Sequence, residues 1–278
     1  MRTLLTPTAP FDGAGVFRYL ADHAVPGLEQ ASPTSYRRML RSPDGAAVPF
    51  EVRLEGATHV SLEAGYSLGT KAESIARGLL DLSAASTQID SWLAREAAFA
   101  PLIALRPGIR LPGSVDAHED LFRTLIAQQV SVAAARTVLG RLVRELTGES
   151  GLFPTAEQFA ERGPEVLRGP AARITAIHRL ALALASGDLV IDASLTVPEF
   201  TERLVAQPGV GPWTAGYVAM RVLNAPDVML ETDLVVLQGA ARLGIPARPR
   251  ELAAYGARWA PWRSYATLRL WQAGRMGT

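Results

Sequence analysis

The sequence predicts an α+β fold, in which a small mixed α/β domain at residues 1–88 precedes a helical region at residues 89–278. Before residue 88, stretches that alternate between apolar and polar residues, as strands do, occur beside helical ones. After the segment LRPGIRLPG at 105–113, which is rich in Pro and Gly, the apolar pattern is helical. Hydrophobic residues make up 48% of the 278 residues, so both parts can bury a core.

Four elements are predicted in the N-terminal domain: a helix at Asp12–His23, strands at Ala47–Leu54 and Thr58–Leu62, and a helix at Thr70–Leu82. No residues in this domain form an evident chemical constellation. A short basic stretch could contact phosphate, but ordinary surface is the preferred interpretation for it: Tyr36, Arg37, Arg38 and Arg41.

The helical region carries helix-start signals, in which a short polar residue precedes an apolar stripe and an acid or amide follows three positions later. The pairs are Asp116 with Glu119, Thr155 with Gln158, and Thr196 with Glu199. Ser131 is a further predicted cap, for a helix that runs to Leu146. The helices before and after it meet at the polar turn Gln128-Gln129.

Composition excludes several function classes. The chain has no cysteine, which excludes disulfides, thiol catalysis and cysteine-held metal clusters. It has no signal-peptide pattern and no apolar run near the ~20 residues that span a bilayer, so we expect a cytoplasmic protein that does not enter a membrane. The net charge is only +1. Arginines are nevertheless concentrated near the C-terminal end, where they could neutralise phosphates or form a solvated helix face: Arg248, Arg250, Arg258, Arg263, Arg269 and Arg275.

The segment 204–220 (LVAQPGVGPWTAGYVAM) predicts two helices joined by a tight glycine hairpin. One helix ends near Ala206 and the next begins near Trp213. Gly209 and Gly211 allow unusual backbone conformations and leave room for a ligand to approach the backbone. The unpaired N–H groups of the second helix then suit a phosphate, although an ordinary helical corner has the same pattern.

Downstream, Asp233 lies in the segment MLETDLV at 229–235. We expect Thr232 to cap a new helix and Asp233 to lie in its first turn. The positive helix end favours the ionised carboxylate, which is suited to stabilising a developing cation. An acid at this position can also serve helix stability alone.

Together, these features resemble the helix-hairpin-helix DNA glycosylases, and among them the bacterial 3-methyladenine-DNA glycosylase II branch. The motifs that resemble this branch are LPGSVDA at 111–117, QQVSV at 128–132, GPWTA at 211–215, WAPWRSYA at 259–266, and Trp271. The resemblance spans essentially the whole chain. It implies a helical region whose two lobes flank a cleft, with the helix-hairpin-helix at about 197–223 and C-terminal helices at 232–278 packed with residues 89–112.

The resemblance also implies site roles. Asp233 would stabilise the sugar cation as the base departs. The base pocket would comprise Trp213, Tyr217 and Trp271, whose electron-rich faces attract cationic bases. DNA would be contacted by Gln128, Gln129, Gly209, Gly211 and Thr214. In a relative of this branch an apolar leucine fills the gap left by the flipped base, and here Gln129 stands in its place.

Two further expectations concern cofactors and strand cleavage. The resemblance implies a structural Na⁺ or K⁺ held by the backbone carbonyls of Val205, Gln207 and Gly211, and no required cofactor. Some relatives carry a Schiff-base lysine in the hairpin helix, where this chain has Trp213; its single lysine is Lys71.

The expected activity is therefore that of a monofunctional glycosylase, which removes alkylated bases of the 3-methyladenine and 7-methylguanine type from duplex DNA. We expect it to act as a monomer near the nucleoid. The alternatives are a non-enzymatic helix-hairpin-helix DNA-binding protein and a glycosylase for a different lesion.

Overall fold

The computed structural model describes residues 1–275, which form five strands and thirteen α-helices. The predicted C-terminal segment extends to residue 278, and residues 276–278 lie outside the described residues. In chain order the elements are β1 (Arg2–Leu5), α1 (Gly13–His23), β2 (Glu29–Ser32), β3 (Ser35–Arg41), β4 (Ala47–Glu55), β5 (His59–Ala64), α2 (Lys71–Leu79), α3 (Ser86–Leu93), α4 (Ala100–Leu105), α5 (Ala117–Ile126), α6 (Val132–Thr147), α7 (Ala156–Val166), α8 (Ala171–Ser186), α9 (Val197–Val205), α10 (Pro212–Val222), α11 (Leu234–Arg242), α12 (Pro249–Gly256) and α13 (Arg263–Arg275).

The N-terminal part is one antiparallel sheet with strand order β1-β5-β4-β3-β2, which packs with α1 and α2. Successive side chains of a strand point to opposite faces, so Phe50 and Val52 of β4 share one face and are buried. The predicted α+β class is confirmed. The predicted strands correspond to β4 and β5, whereas β1, β2 and β3 were not predicted from the sequence.

The interpretation of Tyr36 and Arg38 as ordinary surface is wrong. Both side chains are buried, and Arg38 donates two hydrogen bonds of 2.7 Å to the carboxylate of Glu119 on α5. Tyr36 donates to Glu29, which also accepts from Arg123 of α5. Buried charges are tolerated when they are paired and hydrogen-bonded. The buried pairs of this network therefore hold α5 against the sheet.

A first helical core joins α5 to α10. The predicted caps at Asp116, Ser131, Thr155 and Thr196 all accept hydrogen bonds from the backbone of their helix starts. Helices α9 and α10 pack together through the hairpin between them. This core therefore places the hairpin beside the turn that follows α5.

A second helical core joins α3, α4 and the segment that follows them to α10 and to helices α11–α13. Its fully buried members include Phe99 and Trp259, whose rings lie 5.0 Å apart. Arg269 of α13 is also fully buried and donates to Asp90 of α3. Residues 84–111 thus share a core with residues 220–273. Among the helices of residues 1–275, none is long and apolar enough to cross a membrane.

Candidate active site

A cleft of about 1260 Å³ opens where the sheet domain and the two helical cores meet. Its walls come from α1, α5, α10, the start of α11, and α13. All the aromatic residues predicted for the base pocket line it, as do Gln128, Gln129 and Asp233. Gly209, Gly211 and Thr214 are not among its lining residues and lie at the neighbouring hairpin and helix start.

Helices α5 and α10 run antiparallel along this cleft. At one end, the Gln128 amide donates a 3.1 Å hydrogen bond to the Thr214 hydroxyl. At the other end, the Ser114 N–H donates to the Arg221 carbonyl. With a rise of 1.5 Å per residue, Arg221 lies about 12 Å deeper along α10 than Trp213. The cleft therefore has a mouth at the hairpin and a floor near Arg221.

Asp233 is held near the mouth by four N–H donors. Its Oδ1 accepts from the Val235 and Val236 backbones at 2.9 and 3.0 Å and from Trp271 Nε1 at 3.0 Å. Its Oδ2 accepts from Trp213 Nε1, also at 3.0 Å. The expectation that Thr232 caps this helix is wrong, because Asp233 itself is the N-cap of α11. Four donors of this kind fix the orientation of the Asp233 carboxylate.

Close packing of α11 against α13 brings Asp233 to Trp271. A Cβ built on Gly239 would overlap the Leu270 carbonyl oxygen, and one on Gly274 would lie 2.5 Å from the Val235 carbonyl oxygen. Only glycine allows the two backbones to approach this closely. The glycines at 239 and 274 were the sequence signal for this contact, and sequence analysis did not use it.

The predicted aromatic residues form one continuous surface. Trp213 and Tyr217 stack with centroids 5.3 Å apart at 17°, and Trp271 meets Tyr217 edge-on at 6.2 Å. Trp213 and Tyr217 are partly exposed to the cleft, whereas Trp271 is 9% exposed. A flat base that enters the cleft can thus contact aromatic rings beside the Asp233 carboxylate.

Sequence reasoning missed two residues of this surface, Tyr19 and Arg221. Tyr19 of α1 shares a 3.0 Å hydrogen bond with the Tyr217 hydroxyl, so the N-terminal domain forms part of the pocket. The Arg221 guanidinium carbon lies 4.7, 4.8 and 5.7 Å from the ring centroids of Tyr19, Tyr217 and Trp271. The spacing of Trp213, Tyr217 and Arg221 at every fourth position was the available signal for Arg221.

The hairpin at the mouth differs in detail from expectation. Gly209 has a φ of +80°, which favours glycine, but Gly211 has a φ of −91° that any residue adopts. Gly211 instead keeps its surroundings open, because a Cβ there would meet nothing within 4 Å. The Thr214 side chain is buried against Gln128. It thus holds the Gln128 amide, which belongs to the turn after α5.

That turn is exposed and strained at one residue. Gln129 has a φ of +62°, which is uncommon for a residue with a side chain. Its neighbour Val130 is 42% exposed. Arg173 of α8 donates a 2.9 Å hydrogen bond to the Gln128 carbonyl and thereby holds the turn in place. Such strain occurs at functional sites, where the surrounding structure holds it in place.

Three of the C-terminal arginines have partners within the fold. Arg269 is fully buried, so a phosphate-binding role for it is wrong. Arg263 pairs with Asp227 at 2.7 Å, and Arg258 lies 3.8 Å from the Tyr255 ring centroid.

Comparisons with known proteins identify the family of this chain. Residues 3–116 match the family model of the AlkA N-terminal domain. DNA-3-methyladenine glycosylase 2 of Escherichia coli is 33% identical over 276 residues, covering 94% of each protein. The chain belongs to the AlkA family of DNA glycosylases.

Another AlkA relative is the probable bifunctional transcriptional activator/DNA repair enzyme AlkA of Mycobacterium tuberculosis. It is 42% identical over 276 residues, which cover 95% of this chain and 55% of that protein. The chain thus spans about half the length of the M. tuberculosis AlkA relatives it matches.

Solved structures show the same AlkA-type fold. A 3-methyladenine DNA-glycosylase from Archaeoglobus fulgidus superposes with a TM-score of 0.79 at 19% identity, covering 99% of this chain and 98% of that one. The Schizosaccharomyces pombe 3-methyladenine DNA glycosylase, solved in complex with abasic DNA, superposes with a TM-score of 0.61 at 26% identity. The match covers 68% of this chain and 98% of that one.

Proposed function

We propose that the protein is a monofunctional DNA glycosylase that flips alkylated purines out of duplex DNA and hydrolyses their glycosidic bond, which leaves an abasic site. The observation that carries this proposal is Asp233, a carboxylate fixed by four N–H donors beside an aromatic cleft. The names of the E. coli and S. pombe relatives support the substrate class.

The geometry supports the chemistry as follows. Bond cleavage sends the glycosidic electron pair to the base and leaves an oxocarbenium-like sugar; water then adds to the sugar and loses one proton to solvent. A carboxylate that is already oriented by the Trp213 and Trp271 indoles stabilises that cation without reorganisation. Bases alkylated at ring nitrogens carry positive charge, which favours contact with the aromatic rings and makes them better leaving groups.

The elements that we propose to contact DNA lie together at the mouth of the cleft. We propose that the hairpin at Gly209 and Gly211, with the start of α10, grips phosphate. Gln129 then fills the gap left by the flipped base, since flipping costs a few kcal/mol that such contacts offset. Gln128 and Thr214 hold the hairpin and this turn in register.

Strand cleavage through a Schiff base is not part of the proposal. The family's lysine position holds Trp213, and Lys71, the chain's single lysine, begins α2 and is not among the cleft-lining residues. Treatment with borohydride during turnover is expected to trap no protein–DNA adduct. Efficient trapping would refute the monofunctional assignment.

The deciding experiment measures free methylated bases released from methylated duplex DNA by the wild type and by Asp233→Asn. Release by the wild type alone supports both the activity and the role of the carboxylate. If neither protein releases a base while duplex binding is intact, the non-enzymatic DNA-binding alternative or a different lesion is favoured. Equal release by both would contradict the mechanism.

We further propose that a monovalent cation binds at the hairpin carbonyls and that the protein acts as a monomer on nucleoid DNA in the cytoplasm. The Gln207 and Gly211 carbonyls each accept one backbone hydrogen bond, which leaves each a lone pair for a cation. The carbonyl of Val205 at the end of α9 would complete the set. If DNA affinity is the same in K⁺ and in a bulky organic cation at equal ionic strength, the cation site is wrong.

A further inference from the structure

The floor of the cleft contains a carboxylate, Asp120, that the proposed function does not use. Asp120 lies on the first turn of α5, lines the cleft and is partly exposed to it. Within residues 1–275 its Oδ2 is buried and has no hydrogen-bond partner. Buried polar atoms are nearly always paired, so an unpaired carboxylate oxygen in a cleft calls for a ligand.

Asp120 lies close enough to Arg221, whose guanidinium is surrounded by the pocket rings, to interact with its charge. Burial raises the pKa of Asp120 to about 7, and Arg221 is the strongest influence in the opposite direction. Burial alone lowers the pKa of Arg221, but Tyr19, Tyr217 and Asp120 raise it above the ordinary value, so the guanidinium stays charged. The Arg221 guanidinium donates a hydrogen bond to the Pro112 carbonyl, and among the described residues the Oδ2 of Asp120 has no hydrogen-bond partner.

This arrangement creates a difficulty that Asp120 removes. The rings that would attract a cationic base already surround Arg221, whose fixed charge repels such a base. When it is ionised, Asp120 places a second negative charge at the floor, which offsets that repulsion. Asp233 shares its charge among four N–H donors, whereas the Oδ2 of Asp120 has no donor within the described part of the chain, so Asp120 is the carboxylate left to offset Arg221.

We propose that Asp120 is a specificity-determining residue, whose carboxylate balances Arg221 and gives the pocket its preference for cationic N-alkylpurines over neutral lesions of the same size. This inference rests on the proposed function. The inference predicts a change in the ratio of two excision rates, that of a cationic lesion and that of a neutral lesion. The neutral base does not respond to the net charge at the floor of the cleft. A cationic base in turn favours the ionised form of Asp120.

The test compares single-turnover excision of one 7-methylguanine, a cationic base, and one hypoxanthine, a neutral base, from otherwise identical duplexes. In Asp120→Asn the ratio of the two rates is expected to fall at least tenfold relative to the wild type. The control is Asp22→Asn, which removes an exposed carboxylate at the edge of the same cleft and should leave the ratio unchanged. A ratio within twofold of the wild type in Asp120→Asn, or an equal fall in the control, overturns the proposal.

A second readout separates this inference from the activity itself. Quenching of tryptophan fluorescence gives the affinities of 7,9-dimethylguaninium, a cation, and 9-methylguanine, its neutral counterpart. If the wild type prefers the cation and Asp120→Asn does not, the inference is supported even when no lesion is excised. Absence of excision would contradict only the proposed glycosylase function. No preference for the cation in the wild type overturns the inference. Unchanged thermal unfolding of the variant shows that the fold is intact.

Discussion

Replacing Asp233 by Asn tests the proposed chemistry most directly. Asp and Asn are equivalent N-caps, and the remaining amide oxygen can still accept from the Val235 and Val236 N–H groups, so the fold should be preserved. What is lost is a unit charge near the developing sugar cation. At ~4 Å and an effective dielectric constant of about 20, which suits a partly exposed group, that interaction is worth about 4 kcal/mol.

A loss of about 4 kcal/mol corresponds to a rate reduction of about a thousandfold. The four hydrogen bonds spread part of the charge, so we expect a reduction of one hundredfold or more in single-turnover excision of 7-methylguanine. Affinity for duplex DNA with an abasic-site analogue should stay within a few fold. The matched control is Glu231→Gln, which removes a nearby carboxylate from the same segment. A reduction below tenfold for Asp233→Asn, or an equal reduction for the control, would refute the reasoning.

Three further predictions concern a close backbone contact, an open hairpin position and a buried carboxylate. Gly239→Ala places a methyl group against the Leu270 carbonyl and should lower the melting temperature by about 5 °C or more, measured by calorimetry. Gly211→Ala has open space and an ordinary φ, so stability should be unchanged while duplex affinity, measured by anisotropy, falls several fold; an unchanged affinity would remove Gly211 from the DNA surface. Burial alone raises the pKa of Glu29, but Arg123 and Arg38 lower it to about 2. The ionised carboxylate therefore stabilises the folded protein at pH values above its ordinary pKa. This stabilisation is lost as the pH falls toward 2. Denaturant unfolding should show a loss of about 3 kcal/mol between pH 5 and pH 2, and Glu29→Gln should reduce that loss.

Local signals carried much of the fold prediction. The caps at Asp116, Thr155 and Thr196 depend on residues three positions apart, so their chemistry is visible in the sequence. Strands β4 and β5 alternate apolar and polar residues, and their apolar positions such as Val52, Val60 and Leu62 are buried. By contrast, β2 is four residues long and polar, and its pairing with β3 depends on tertiary contacts that no short window contains.

The site was predictable where its residues share one helix and obscure where they do not. Trp213 and Tyr217 lie four residues apart on α10, and their stacking follows from that spacing. Tyr19 reaches the pocket from another domain, 198 residues away in sequence from its partner Tyr217. Arg38 looked exposed because its partner, Glu119, lies 81 residues away. A charged residue is predicted to be exposed when the residue that pairs with it lies far away in the sequence.

The bonds around Gln128 bear on how the protein searches DNA. Its side chain is tied to Thr214 at the hairpin, and its carbonyl is tied to Arg173 of α8. The hairpin that we propose to bind phosphate and the turn that we propose to fill the gap are therefore joined through Gln128. With these proposed roles, a protein sliding along intact duplex would test the base stack at a fixed distance from its phosphate contacts, without a separate movement of the turn.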